Sequence, residues 1–134
     1  MRALPKPSCV DSQPRWVMMS GMEEQVWQPL RTVEGLPLKG GEGRYRLLET
    51  ASSGLAYLIH YPAGVASPTH AHDHDSIVYV LAGRLRGAVD GVEAVLEPGD
   101  SVVHPRRVAH HVEALTDSMW VEFKSPLPGN PPIA

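Results

Sequence analysis

From residue 44 to 126 the chain is a succession of short apolar runs, each closed by turn-forming residues: RYRLLET, GLAYLIHY, SIVYVLAG, GRLRGAVDG, EAVLEPGD, SVVHP, HHVEAL and MWVEFKSP. Val, Leu, Ile and Tyr fill these runs, as pleated and half-buried strands require, and no stretch sustains a helical period. The breaks are Gly40-Gly41, Ser53-Gly54, Asp90-Gly91 and Pro98-Gly99. Asp90-Gly91, between RGAV and VEAVL, carries the signature of a two-residue hairpin turn. Many short strands at this spacing close into a sandwich or a barrel. The expected fold class is therefore all-β and antiparallel.

At 134 residues the chain has the length of one domain with one core. Residues 1–25 read as an irregular N-terminal arm, broken by Pro5, Pro7 and Pro14; residues 26–124 read as the barrel; residues 125–134 read as a Pro-rich tail. The net charge of −3, with no Lys/Arg block, argues against nucleic acid and anionic membrane as partners. No apolar run approaches the roughly 18–20 residues of a membrane span, and the arm lacks a signal-peptide core. The single cysteine, Cys9, excludes an internal disulfide and fits a cytoplasmic protein; it reads as an incidental thiol. SIVYVLAG is apolar at consecutive positions, so both its faces need cover. A homodimer is expected, with the apolar arm around Trp16, Val17, Met18 and Met19 lying on the body or reaching the second subunit.

The chemistry sits in HAHDHDS, where His70, His72 and His74 alternate. On a strand, residues two apart share a face with Cα atoms about 6.6 Å apart, whereas on a helix they point to opposite sides. Two neutral imidazoles on one face can converge on a metal at about 2.0–2.1 Å. Taken alone, His-x-His serves equally well as polar decoration of a loop.

The surrounding spacing shifts the balance between them. Gly64, five residues, His70-x-His72, three residues, Ser76, six residues, Gly83 is followed after fifteen residues by Gly99, five residues, Pro105, then His110. This resembles the two motifs of the cupin family, over about residues 44 to 124. The resemblance implies a jelly-roll barrel, a double-stranded β-helix. It also implies that His70, His72 and His110 hold one divalent transition metal, of the Fe, Mn, Zn, Ni or Co group. Three positions depart from the family pattern: Ser76 stands at the usual glutamate ligand, Arg107 at a glycine and Ala114 at an asparagine. With Ser76 a poor ligand, the implied site is three histidines with positions open to water or substrate beside Ser76. Such an ion keeps its full charge and favours anions. Metal affinity is expected to fall as pH drops through the ordinary histidine value near 6.5.

The other candidates are weaker. His74 reads as a residue of the site's rim, with a near-site role as the alternative. His104 shares parity with Val102 and can point inward, as a site contact or as a structural residue. His111 faces away from His110, His60 reads as structural, and Arg84 and Arg86 as solvated. Tyr57, Tyr79, Met119, Trp120 and Phe123 read as core or pocket wall, and Asp100 as a turn cap. No acid or base for catalysis stands out. The expected function is a metal-binding protein acting on a small, anionic organic molecule by isomerase, lyase or dioxygenase chemistry; a ligand-binding or sensing protein without turnover is the alternative.

Overall fold

In the computed structural model, residues 27–128 are described; the arm, Cys9 and the end of the tail lie outside them. Eleven strands run β1 (Gln28–Leu30), β2 (Thr32–Val33), β3 (Leu36–Pro37), β4 (Gly43–Ala51), β5 (Gly54–Tyr61), β6 (Asp75–Ala82), β7 (Leu85–Val89), β8 (Val92–Leu96), β9 (Ser101–His104), β10 (His110–Ala114) and β11 (Ser118–Ser125). They form a six-stranded sheet, β1-β4-β5-β11-β6-β9, a three-stranded sheet, β10-β7-β8, and the small hairpin β2-β3. Every strand pairing among the described residues is antiparallel. No described helix is long and apolar enough to cross a membrane. The fold is all-β and antiparallel, as the short runs and turns imply, and it is the jelly roll that the family resemblance implies.

Alternation builds the core. Along β6, Ser76, Val78 and Val80 are buried while Ile77, Tyr79 and Leu81 are exposed. Along β11, Trp120, Glu122 and Lys124 point inward, and Met119, Val121 and Phe123 outward. Tyr79 and Phe123 are 44% and 48% exposed, so they line the outer face rather than the core or a pocket expected for them. The reason is parity: once Trp120 is inside, its odd-numbered neighbours must be outside. The interior gathers Tyr57, Ile59, Tyr61, Val78, Val80, Leu85, Val112 and Trp120.

The turn at Asp90-Gly91 has positive φ at both residues, 53° and 81°, as a primed hairpin turn demands. Arg107, at the position where the family pattern has glycine, also adopts the left-handed region, with φ of 64°. A side chain is disfavoured there by roughly 1–2 kcal/mol. The conformation persists because Arg107 N–H donates to the His72 carbonyl at 2.7 Å and its guanidinium pairs with Asp73 at 2.8 Å. That ion pair is exposed and screened by water, so it adds little. Arg107→Gly should therefore be neutral or mildly stabilising, and Arg107→Val destabilising by about 1 kcal/mol or more, read as thermal midpoints.

Candidate metal centre

Two loops bring the histidines together, and the backbone fixes their spacing. His70 and His110 exchange N–H···O bonds of 3.0 and 2.8 Å, an isolated antiparallel bridge between the HAHDH segment and the start of β10. The Arg107–His72 bond ties the same segment down a second time. The result places one nitrogen from each of His70, His72 and His110 within 4.8 Å of the others.

Their outward nitrogens fix the tautomers. His70 Nδ1 lies 2.7 Å from the Pro68 carbonyl, His72 Nδ1 2.6 Å from Glu34 Oε2, and His110 Nδ1 3.2 Å from the Val108 carbonyl. An acceptor at each Nδ1 puts the proton there and leaves the lone pair on Nε2. His70 Nε2 and His72 Nε2 then face each other at 3.1 Å with two lone pairs and no proton between them. Two lone pairs repel unless a cation lies between them. Nitrogens ligating one ion at about 2.05 Å stand about 2.9–3.4 Å apart for angles of 90–110°. The donor set thus fits a borderline divalent ion.

Burial, together with neighbouring positive charge, keeps these rings neutral. It pushes His110 down to about 3, helped by His104 and His70 beside it. His72 is likewise lowered to about 3 by burial, then by Lys124, His70 and His74. The Glu34 carboxylate opposes this at 2.6 Å, but its side chain is 43% exposed and water screens it. Burial also lowers His70 and His104, and brings His74 to about 4 with help from Lys124.

A second cluster adjoins the first. Cross-strand register sets Lys124 beside Ser76 and Ser76 beside His104, a single row across β11, β6 and β9. Lys124 Nζ lies 2.7 Å from Glu122 Oε2, 3.1 Å from His74 Nε2 and 3.4 Å from Ser76 Oγ. Trp120 Nε1–H donates to Glu122 Oε1 at 2.9 Å. Burial alone would raise the Glu122 carboxyl; the Lys124 charge and the hydrogen bonds from Lys124 and Trp120 outweigh it and hold the group well below the usual carboxylate range. Glu122, Lys124, His70, His72, His104 and His110 share one cavity of about 30 Å³. That is room for an ion and a water or two.

Two expectations change here. His74 is not a rim residue: it is 5% exposed and stacked on His72 with ring centroids 4.4 Å apart. Strict alternation continues back from β6 through Ser76 and His74 to His72, and Lys124 gives the inward ring a donor. Nor is the space beside Ser76 open to water, since the Lys124 ammonium reaches it. A glutamate at position 76 would meet that ammonium and pair with it rather than with a metal ion. His104 lies inside, its ring 4.0 Å from that of His110. His111 is on the opposite face of β10, and Arg84 and Arg86 are exposed partners of Glu97 and Glu113. Asp100 caps its turn through the Glu97 N–H.

Comparison with known proteins settles the lineage. A family model described as a cupin domain matches residues 57–123. The chain belongs to the cupin family. It is 32% identical to the pectin degradation protein KdgF of Dickeya dadantii over 64% of this chain and 81% of that one. It is 39% identical to the dimethylsulfoniopropionate lyase DddQ of Ruegeria pomeroyi, over 41% of this chain and only 28% of that one. Among solved structures it resembles an RmlC-like cupin from Shewanella frigidimarina, with a TM-score of 0.62 and 32% identity, covering 66% of this chain and 79% of the other.

Within this cupin, sequence reasoning missed Glu34, Glu122 and Lys124. The signal for the last two was present: alternation through MWVEFKSP puts Glu122 and Lys124 on the face of Trp120, where charges belong only if they have partners. Glu34 left no such trace, because its hairpin is two residues a strand.

Proposed function

We propose that this cupin is a metal-dependent enzyme that moves a proton on a small anionic molecule, by lyase or isomerase chemistry. The observation that carries the reading is the Glu122–Lys124 ion pair, buried in the cavity shared by the three histidine Nε2 atoms and His104. His70, His72 and His110 would hold one divalent transition ion, and that ion would supply Lewis-acid polarisation of a substrate oxygen. The imidazoles are neutral and Glu122 offsets Lys124, so the ion's charge is uncompensated and selects an anion. His104 is the base: it is neutral at pH 7 and makes no hydrogen bond among the described residues, so a ring nitrogen is free to accept a proton from carbon beside a carbonyl or carboxylate. Lys124, oriented by Glu122, His74 and Ser76, stabilises the negative oxygen that then develops. The pectin degradation and lyase relatives support this class over oxygen chemistry. A ligand-holding role without turnover is the second reading, favoured by the small cavity.

The test is metal analysis of untagged protein followed by loss of the α-proton from keto and hydroxy acids in deuterium oxide. Exchange is expected to require the metal, His104 and Lys124; bound metal with no exchange from any acid would leave the ligand-holding reading. His72→Ala and His110→Ala should release metal, and His111→Ala should keep it. Glu34→Ala should weaken metal binding about 10- to 100-fold, as loss of a partner that orients a ligand does. Glu34→Gln, which can still accept from Nδ1, should lose less. Isothermal titration separates the two.

A further inference from the structure

Beyond His104 lies a second cavity, of about 200 Å³, between β8 and the interior of the six-stranded sheet. Its walls are Val89, Val92, Ala94, Leu96, Val102 and Val112, with His104 at its inner end. His104 and Val112 also line the histidine cavity, so these two side chains are the partition between a polar chamber and an apolar one. Register puts Val92, Ala94 and Leu96 opposite Val89, Gly87 and Leu85, on the inward side of β8. Yet Val92 is 73% exposed. An inward valine left bare has nothing packed against it among the described residues, and this wall is apolar from end to end.

A second observation concerns the inner end. His104 is 4% exposed, and its ring stacks on His110, but neither ring nitrogen makes a hydrogen bond among the described residues. Here a neutral imidazole presents one donor and one acceptor where the two chambers meet.

We propose that the apolar chamber holds the hydrocarbon part of the ligand, whose polar end sits at His104 beside His110. The ligand class is a short amphiphile: a carboxylate or carbonyl head carrying four to eight carbons. An apolar cavity of about 150 Å³ takes a benzene molecule, so this one holds about that much hydrocarbon or slightly more. A polyhydroxylated tail finds no partner on valine and alanine walls. The inference rests on the proposed function for the head group alone; the chamber stands on its own lining.

The experiment uses the full chain with ¹³C-labelled valine methyls, titrated with acetate, propionate, butyrate and hexanoate after metal loading, and with benzene in the metal-free protein. Affinity is expected to rise about four-fold per methylene beyond propionate, with shifts at Val89, Val92, Val102 and Val112. Ala94→Trp should flatten the series to within two-fold and leave acetate binding unchanged. His104→Leu should weaken hexanoate about ten-fold and leave benzene binding intact. A flat series in the wild type, or methyl shifts elsewhere, overturns the chamber. Failure to take up metal overturns the metal-site reading instead, and the benzene arm still decides the chamber: no benzene shifts at those valines would overturn it.

Discussion

Lys124→Met should be strongly destabilising. Lys124 is 2% exposed in its side chain and Glu122 10%, so neither charge can turn to bulk water. Methionine fills the volume of the lysine stem but strands the Glu122 carboxylate with only the Trp120 N–H. Removing one partner of a buried ion pair costs about 3–5 kcal/mol. For a domain of this size that is a drop in thermal midpoint of more than about 12 °C. The double variant Glu122→Gln/Lys124→Met should recover most of the loss, because no charge is left unpaired. Melting curves of the three proteins decide the matter: a single variant within about 2 °C of wild type would mean the pair is not sealed from solvent. In the proposed enzyme both variants are inactive, so stability and activity part company in the double variant.

Acid should unfold the metal-free protein steeply, and earlier than carboxylate protonation would. Unfolded histidines take up a proton near pH 6.5, but in the fold His72 and His110 wait until about 3 and His74 until about 4. Between these limits the unfolded chain binds more protons than the native one. Stability is therefore full above about 6.5 and is lost as pH falls toward the lowered native values. Each such histidine contributes a slope of about 1.4 kcal/mol per pH unit, so His72 and His110 alone approach about 3, less whatever screening water provides. Urea midpoints from pH 7.5 to 4.5 should fall continuously. This revises the sequence-based expectation for metal release. The ligands of the folded protein do not protonate near 6.5, so metal loss should coincide with unfolding, not precede it. Release of metal at pH 6 with an unchanged far-UV CD spectrum would contradict this.

Most of the barrel was legible because strand alternation and turn dipeptides are local. Val78 and Val80 alternate with Ile77 and Tyr79, and Asp90-Gly91 states its own turn. β1, β2 and β3 were not legible, being two or three residues long with Pro29 and Pro37 among them. Tertiary contacts hold them in place: pairing of β1 with β4, burial of Leu30 and Val33, and the Glu34 contact with His72. The three clustered histidines were marked by spacing, a property of the chain. The Glu122–Lys124 pair depends on which face of β11 is inside, and the aromatic residues of that strand were read without choosing a face. Choosing Trp120 as inward would have placed both charges in the interior and His74 beside them.

The main-chain bridge between His70 and His110 has a consequence for how such a site can change. Both N–H···O bonds, and the Arg107 bond to the His72 carbonyl, use backbone groups that every amino acid but proline possesses. The positions of the three side chains are thus held by a frame indifferent to what those side chains are. Carboxylates, thiols or amides set at residues 70, 72 and 110 would emerge at the same points in space, like interchangeable bits in one chuck. Metal preference in this scaffold is then a matter of substitution alone, and an engineer can exchange the donors without redesigning the barrel.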